Sequence, residues 1–205
     1  VDYSRLLQPR LIGTLRGSTD FAFVDGEHFL SRPGLRAGFI YRWDSGHFTE
    51  GNIGVMQNTY EFTAPTPALD RDGQAWSGGI THTAPLNKNL RLRLGAFTAY
   101  NDSDGTDYEY VTHGVQAGLS ASLPQGFFAD VGGGYNRDNY DNPNSFTAPV
   151  TRRNDDVWRA QAQLGHPVNK HFDIVARYNE VWNDSNIAVF NYDQRIVSIG
   201  AVGRY

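Results

Sequence analysis

Residues 90–100 read LRLRLGAFTAY and alternate apolar with polar side chains for most of their length. Leu90 and Leu92 share one face of this segment, and Arg91 and Arg93 share the other. Successive side chains of a β-strand point to opposite faces, so the pattern predicts a strand with one apolar and one polar face. The spacing of a helix, with apolar residues at i, i+3, i+4 and i+7, is absent from it.

The same alternation returns along the chain and predicts about ten strands. It is clearest in residues 111–123, 127–135, 158–164, 172–182 and 197–205. Short connections are expected at 44–51, 85–89, 124–126 and 167–171, and long polar ones at 24–33, 63–73, 101–109, 137–153 and 183–192. Short turns at one end and long loops at the other are typical of outer-membrane barrels. We therefore predict an all-β, antiparallel up-and-down transmembrane β-barrel.

Composition excludes several other classes of protein. The chain has 205 residues, no cysteine and a net charge of -4, which argues against disulfides, thiolate metal sites and nucleic-acid binding. No apolar run approaches the roughly 20 residues that a membrane-spanning helix needs. The mean hydropathy of -0.49 averages two faces of opposite character. Residues 1–205 are predicted as one barrel domain, with residues 1–10 interpreted as a periplasmic N-terminal segment.

The aromatic residues of the apolar face favour a membrane barrel over a soluble β-sandwich or a lipocalin-like barrel. They are expected in two belts near the strand ends, where amphipathic rings settle at the level of the lipid headgroups. Towards the short turns lie Trp43, Phe127, Phe172 and Tyr205, and towards the long loops lie Trp76, Tyr100, Tyr135, Trp158 and Trp182. The opposite face is rich in Gly, Ser, Thr and Gln rather than the Lys and Glu of a soluble surface.

The final segment, RIVSIGAVGRY at residues 195–205, resembles the C-terminal assembly signal of Gram-negative outer-membrane barrels. The residues that carry the resemblance are Val197, Ile199, Ala201 and the terminal aromatic Tyr205. The resemblance implies residence in the outer membrane, contact with its lipid and lipopolysaccharide, and recognition by the barrel assembly machinery. The stretches RRNDDVW, WNDSN and NYDQR are also similar to closing strands of the surface lipoprotein assembly modifier and exopolysaccharide-exporter barrels.

Charged residues on the polar face are expected in the barrel lumen. The candidates are Arg16, Arg36, Arg42, Arg91, Arg93, Asp130, Arg159, Asp173 and Arg177. Side chains can largely fill the interior of a barrel of eight to ten strands, so these residues could form a plug of arginine–carboxylate and arginine–glutamine contacts. Alternatively, the excess of arginine predicts a narrow passage that favours anions, because rings of charge set selectivity.

Two further groups of residues are candidate chemical sites. Asp102, Asp104 and Asp107 lie beside a glycine and resemble part of a calcium loop. The spacing departs from the EF-hand pattern and the bidentate glutamate is absent, so an acidic solvated loop is the alternative. His28 with Asp25 and Glu27 is a compact group at the loop end, but no serine-nucleophile motif accompanies it. No other histidine forms a metal motif. We therefore predict no catalytic activity, no cofactor and no confident metal site.

The function expected from the sequence is that of an integral outer-membrane barrel without catalysis. It would serve as a structural scaffold or as the membrane part of an export or surface assembly, with protein partners in the envelope. A porin-like, anion-favouring channel is the alternative, and an outer-membrane enzyme with residues on its loops is a second alternative.

Overall fold

The computed structural model describes residues 1–147 and 150–203. They form one antiparallel sheet of eleven strands, each paired with its neighbours in the sequence. The strands are β1 (Asp2–Gln8), β2 (Leu11–Val24), β3 (Glu27–Arg42), β4 (Phe48–Tyr60), β5 (Gly73–Asn87), β6 (Leu90–Ser103), β7 (Tyr110–Ser122), β8 (Phe128–Pro143), β9 (Arg152–Pro167), β10 (Phe172–Ser185) and β11 (Tyr192–Gly203).

The antiparallel up-and-down order is confirmed, and eleven strands agree with the predicted count of about ten, but the predicted closure into a barrel is not confirmed. The sheet is open, with β1 and β11 as its edges and no pairing between them in the described residues. In an up-and-down sheet of eleven strands the first and last run in the same direction, so they cannot close it as an antiparallel pair. The additional strand is β1, which lies in the predicted N-terminal segment and pairs with β2.

Short turns lie at one end of the sheet and most long loops at the other, as the sequence indicates. The connection between β2 and β3 differs from the predicted long loop at residues 24–33, because it is a turn of two residues. Asp25 and Gly26 both have positive φ, 52° and 85°, as a tight hairpin turn requires. The short-turn end is called the turn end below, and the other is called the loop end.

The two faces of the sheet differ in exposure in the way a membrane barrel requires. On one face, called the apolar face, Ile80, Val131 and Trp158 are about half exposed. On the other, called the polar face, Asn136 is only 2% exposed. Most of the buried polar side chains lie on this second face, namely Asn58, Thr83, Thr112, Asn136, Asp155, Asp173, Asn183 and Ser185. A soluble sandwich buries its apolar faces instead, so the described sheet is inverted relative to it.

The helices among the described residues are 3₁₀ turns of three residues each, in the loops at Pro67–Leu69, Thr106–Tyr108 and Ala188–Phe190 and in the turn at Pro124–Gly126. None of these described helices is long and apolar enough to cross a membrane.

Candidate functional site

The polar face of β6 to β10 surrounds a cavity of about 480 Å³. Its wall includes Arg93, Phe97, Gln116, Asn136 and Arg159. Glycines occupy many of the remaining positions on this face, at Gly95, Gly114, Gly118, Gly132 and Gly134. Neighbouring side chains lie over several of these glycines: the ring of Phe97 covers Gly114, and Gln116 lies beside Gly95. Larger residues at these positions would therefore crowd the cavity wall.

Three of the predicted lumen arginines, Arg93, Arg159 and Arg177, come together on this face and are called the arginine cluster. Arg93 lines the large cavity with Arg159 and a neighbouring cavity of about 360 Å³ with Arg177. Arg159 donates to the side-chain carbonyl of Asn136, and Arg177 donates from Nε to Gln163 at 2.8 Å. The ion pairs found among the described residues do not include these three arginines, and the hydrogen-bond acceptors of Arg159 and Arg177 are neutral. Asp138 lines the large cavity and Asp130 the neighbouring one, so carboxylates also border the cluster.

The carboxylates of the same face are held by neutral donors. Asp130 accepts a hydrogen bond of 2.5 Å from Ser120, and Asp138 accepts one of 2.7 Å from Thr112. Asp173, the other predicted acidic lumen residue, lies on the polar face of β10 and is 8% exposed. The hydrogen bonds of Asp130 and Asp138 do not join these two carboxylates to the arginine cluster. The bond from Arg177 to Gln163 is an arginine–glutamine contact of the kind that the predicted plug contains.

The other predicted lumen residues lie apart from the arginine cluster. Arg16 pairs with Asp2 across β1 and β2, with Nε and Oδ1 2.5 Å apart. Arg16 and Arg36 line a small cavity of about 200 Å³ on β2 to β5. Arg42 and Arg91 are exposed at the turn end of their strands. Three of the nine predicted residues therefore lie on β2 and β3, and the other six lie on β6 to β10.

At the loop end, a buried ion pair between Arg153 and Asp155 was missed by sequence reasoning. Arg153 Nη2 lies 2.5 Å from Asp155 Oδ2, and the side chain of Asp155 is 3% exposed. The guanidinium lies over the ring of Phe190 at 3.7 Å and over the ring of Tyr140 at 4.6 Å, an arrangement that favours a cation. Tyr140 lies on β8 five residues beyond the belt residue Tyr135. Burial raises the pKa of its hydroxyl. Alternation alone puts Arg153 and Asp155 on one face, but Phe190 comes from a distant loop.

The three aspartates of the predicted calcium loop do not converge. Asp102 and Asp104 are exposed, whereas Asp107 is 3% exposed. The carboxylate of Asp107 accepts hydrogen bonds from the hydroxyl of Ser145, at 2.5 Å, and from its backbone N–H, at 3.1 Å. Within residues 1–147 and 150–203 no three His, Cys, Asp or Glu side chains are grouped to hold a metal ion. In this structure Asp107 joins two loops instead.

The predicted belt aromatics lie on the apolar face wherever the structure describes them. Trp158 is paired with Tyr135 on one side and with Trp182 on the other, and the Tyr135 and Trp158 ring centroids are 4.6 Å apart. Phe172 at the turn end and Trp182 are separated by ten residues of β10. At about 3.3 Å per residue and a tilt near 45°, this distance spans about 23 Å along the membrane normal, close to the roughly 25 Å height of the apolar band of an outer-membrane barrel.

The remaining belt and assembly residues follow the same face. Trp43 and Phe127 lie at turns of the turn end, and Trp76 and Tyr100 are paired near the loop end. Val197, Ile199 and Ala201 of the predicted assembly signal lie on the apolar face of β11. Tyr205, which belongs both to the signal and to a belt, lies outside the described residues.

Two histidines that are distant in the sequence meet near the turn end. His47 Nδ1 lies 3.1 Å from His82 Nε2, and the other nitrogen of His82 lies 2.9 Å from the hydroxyl of Thr49. The indole N–H of Trp43 donates to the same hydroxyl at 3.0 Å. No local motif reveals this pair, because it depends on the pairing of β4 with β5.

Similarity to known proteins is found in the structure and not in the sequence. No family model and no curated protein matches the sequence. The structure is similar to the crystal structure of the outer membrane channel DcaP of Acinetobacter baumannii, with a TM-score of 0.61 and 15% sequence identity. The match covers 99% of this chain and 61% of that one, so the chain spans about three fifths of that channel's length. At this identity the similarity shows the fold alone: the chain has an antiparallel, up-and-down all-β sheet like that of an outer-membrane channel.

Proposed function

We propose that the chain forms a porin-like wall in the outer membrane of a Gram-negative bacterium, with its polar face lining a passage that favours anions. The observation that carries the proposal is the arginine cluster, which borders two cavities and in which Arg159 and Arg177 donate to neutral side chains rather than to carboxylates. A field of one sign on the wall of a narrow passage raises the local concentration of ions of the opposite sign. The similarity in fold to an outer-membrane channel supports the same proposal.

The fluorescence of the four tryptophans tests the proposed membrane location directly, because all four belong to the predicted belts. We expect the fluorescence of the protein in vesicles to be quenched more strongly by lipids brominated near the headgroup than by lipids brominated near the chain end. The reason is that amphipathic rings settle at the interface. Detergent-free solubility as a monodisperse monomer, with no quenching by either lipid, would contradict the location.

The passage itself is tested in planar bilayers under a gradient of potassium chloride. We expect a conducting protein whose reversal potential favours chloride, because the arginine cluster attracts anions. The triple variant Arg93→Glu, Arg159→Glu, Arg177→Glu should lose or invert this preference. Arg152→Glu, the same kind of substitution at a single exposed position of β9 outside the cluster, should retain most of it.

Heat-modifiable gel mobility checks that each of these variants is folded. If the triple glutamate variant does not fold, the triple variant with glutamine at the same three positions replaces it in the measurement. A folded protein that never conducts, or one that prefers potassium, overturns the channel proposal. A sealed lumen also requires hydrogen-bond partners for the backbone of the two edge strands, β1 and β11. Unpaired backbone groups are not tolerated in lipid.

The non-catalytic scaffold remains the second candidate, supported by the likeness of the last quarter of the sequence to assembly-modifier and exporter barrels. On that proposal the chain would contact lipid and lipopolysaccharide, fold through the barrel assembly machinery and bind envelope proteins through its loops. A folded, silent barrel that co-purifies with envelope proteins is the expected result for it.

A further inference from the structure

A β-bulge in the β2–β3 hairpin brings two polar side chains onto one face. Phe21 pairs with Ser31, but after the bulge Phe23 pairs with His28. His28 and Ser31 are three positions apart and would lie on opposite faces of a regular strand. The extra residue, Phe29, restores them to the same face, and bulges are known to redirect side chains in this way.

The side chains of Ser31, His28 and Glu61 form a continuous chain of contacts. Ser31 Oγ lies 3.1 Å from His28 Nε2, and His28 Nδ1 lies 3.3 Å from Glu61 Oε1. Glu61 follows β4 directly, and its backbone N–H donates to the carbonyl of Phe29 at 3.1 Å, which holds it beside the bulge. The partners therefore come from β3 and from the residue that follows its neighbour β4.

The partner of each imidazole nitrogen decides which one carries the proton. An ionised carboxylate can only accept a hydrogen bond, so contact with Glu61 favours the proton on Nδ1. Nε2 is then free to accept the hydroxyl proton of Ser31. A serine, a histidine and a carboxylate in this order have the connectivity of a hydrolytic triad, which is recognised by geometry rather than by sequence position.

The surroundings of the triad are apolar and open. The rings of Phe21 and Phe23 lie 5.8 and 5.4 Å from that of His28, centroid to centroid, and both side chains are more than 60% exposed. The side chain of His28 is itself 33% exposed, so a substrate can reach it. An acyl chain laid across the two phenylalanines would present its carbonyl to Ser31.

We propose that Ser31, His28 and Glu61 form a hydrolytic site at the loop end of the sheet that cleaves carboxylic esters with an apolar acyl chain. Ser31 is the nucleophile, His28 the general base and acid, and Glu61 the positioning residue that orients the imidazole. The site lies on the β2–β3 hairpin, away from the arginine cluster, and does not depend on the proposed passage.

The reaction balances with water as the only co-reactant. Ser31 Oγ attacks the ester carbonyl while His28 Nε2 takes the hydroxyl proton. Collapse of the tetrahedral adduct breaks the bond to the alcohol oxygen, which leaves with that proton, and an acyl-serine remains. Water then attacks the acyl-serine with its proton passing to His28. The carboxylic acid leaves as the proton returns to Ser31 Oγ.

Labelling with a fluorophosphonate tests the nucleophile in the full chain folded in detergent. We expect covalent modification of Ser31, located by mass spectrometry, in the unheated protein and none after heat denaturation. The variant Ser31→Ala should not be labelled, whereas Ser18→Ala, an exposed serine of the neighbouring strand, should be labelled as the parent is. A folded protein in which Ser31 stays unmodified overturns the proposal.

Hydrolysis of p-nitrophenyl esters tests the other roles. We expect Ser31→Ala and His28→Ala to lower kcat by at least about 100-fold, as loss of a triad member does. Glu61→Gln should lower kcat with little change in KM, because it acts through the imidazole. Phe21→Ala should raise KM for p-nitrophenyl decanoate more than for p-nitrophenyl butyrate, because only the longer acyl chain extends across the phenylalanine. Equal rates for Ser31→Ala and the parent, with both shown to be folded by heat-modifiable mobility, would refute the triad.

Discussion

The variant Gly114→Val is expected to destabilise the folded sheet by about 1–3 kcal/mol, the cost of overpacking a filled site. Gly114 pairs directly with Phe97, whose ring lies over the glycine. A Cβ at this position would lie 2.6 Å from Phe97 Cε1 and 2.9 Å from Asn136 Cβ, closer than side-chain atoms approach. The midpoint of urea unfolding in detergent micelles, followed by tryptophan fluorescence, measures the effect.

The matched control is Gly17→Val on β2. A Cβ there has nothing within 4 Å, and valine favours strands, so no loss of stability is expected. Combining Gly114→Val with Phe97→Ala should recover part of the lost stability, because the shortened side chain makes room for the valine. If Gly114→Val and Gly17→Val are equally stable, the ring does not occupy the space over Gly114.

The variant Arg153→Ala is expected to cost about 3–5 kcal/mol, because it leaves Asp155 buried without its partner. The side chains of Arg153 and Asp155 are 13% and 3% exposed, and the guanidinium is also enclosed by Tyr140 and Phe190. The double variant Arg153→Met, Asp155→Leu should recover most of this loss, because apolar residues of similar volume can replace a buried pair.

An exposed ion pair of the same kind provides the control. In the pair of Arg16 with Asp2 both side chains are more than 60% exposed. Arg16→Ala should leave the unfolding midpoint unchanged, since exposed pairs contribute little. Equal effects of Arg153→Ala and Arg16→Ala would show that the Arg153 pair is not buried in the folded protein.

Local patterns predicted the strands because their period of two is visible within a few residues. The DG dipeptide at 25–26 also carried a signal for the tight turn, which the sequence interpretation did not use. Alternation alone predicts a loop over residues 24–33, which groups His28 with Asp25 and Glu27. The structure instead pairs His28 with Ser31 and with Glu61, which lies in the next connection.

The sequence by itself determined the two-faced character of the sheet, with an apolar face outward and a polar face rich in glycine and arginine. Side-chain direction in a strand depends only on position along the chain. Tertiary structure alone decided the number of strands, the open edges at β1 and β11, and the meeting of His47 with His82 and of His28 with Glu61. These features depend on register between strands and on one bulge, and a shift of a single residue in the pairing would move every such side chain to the other face.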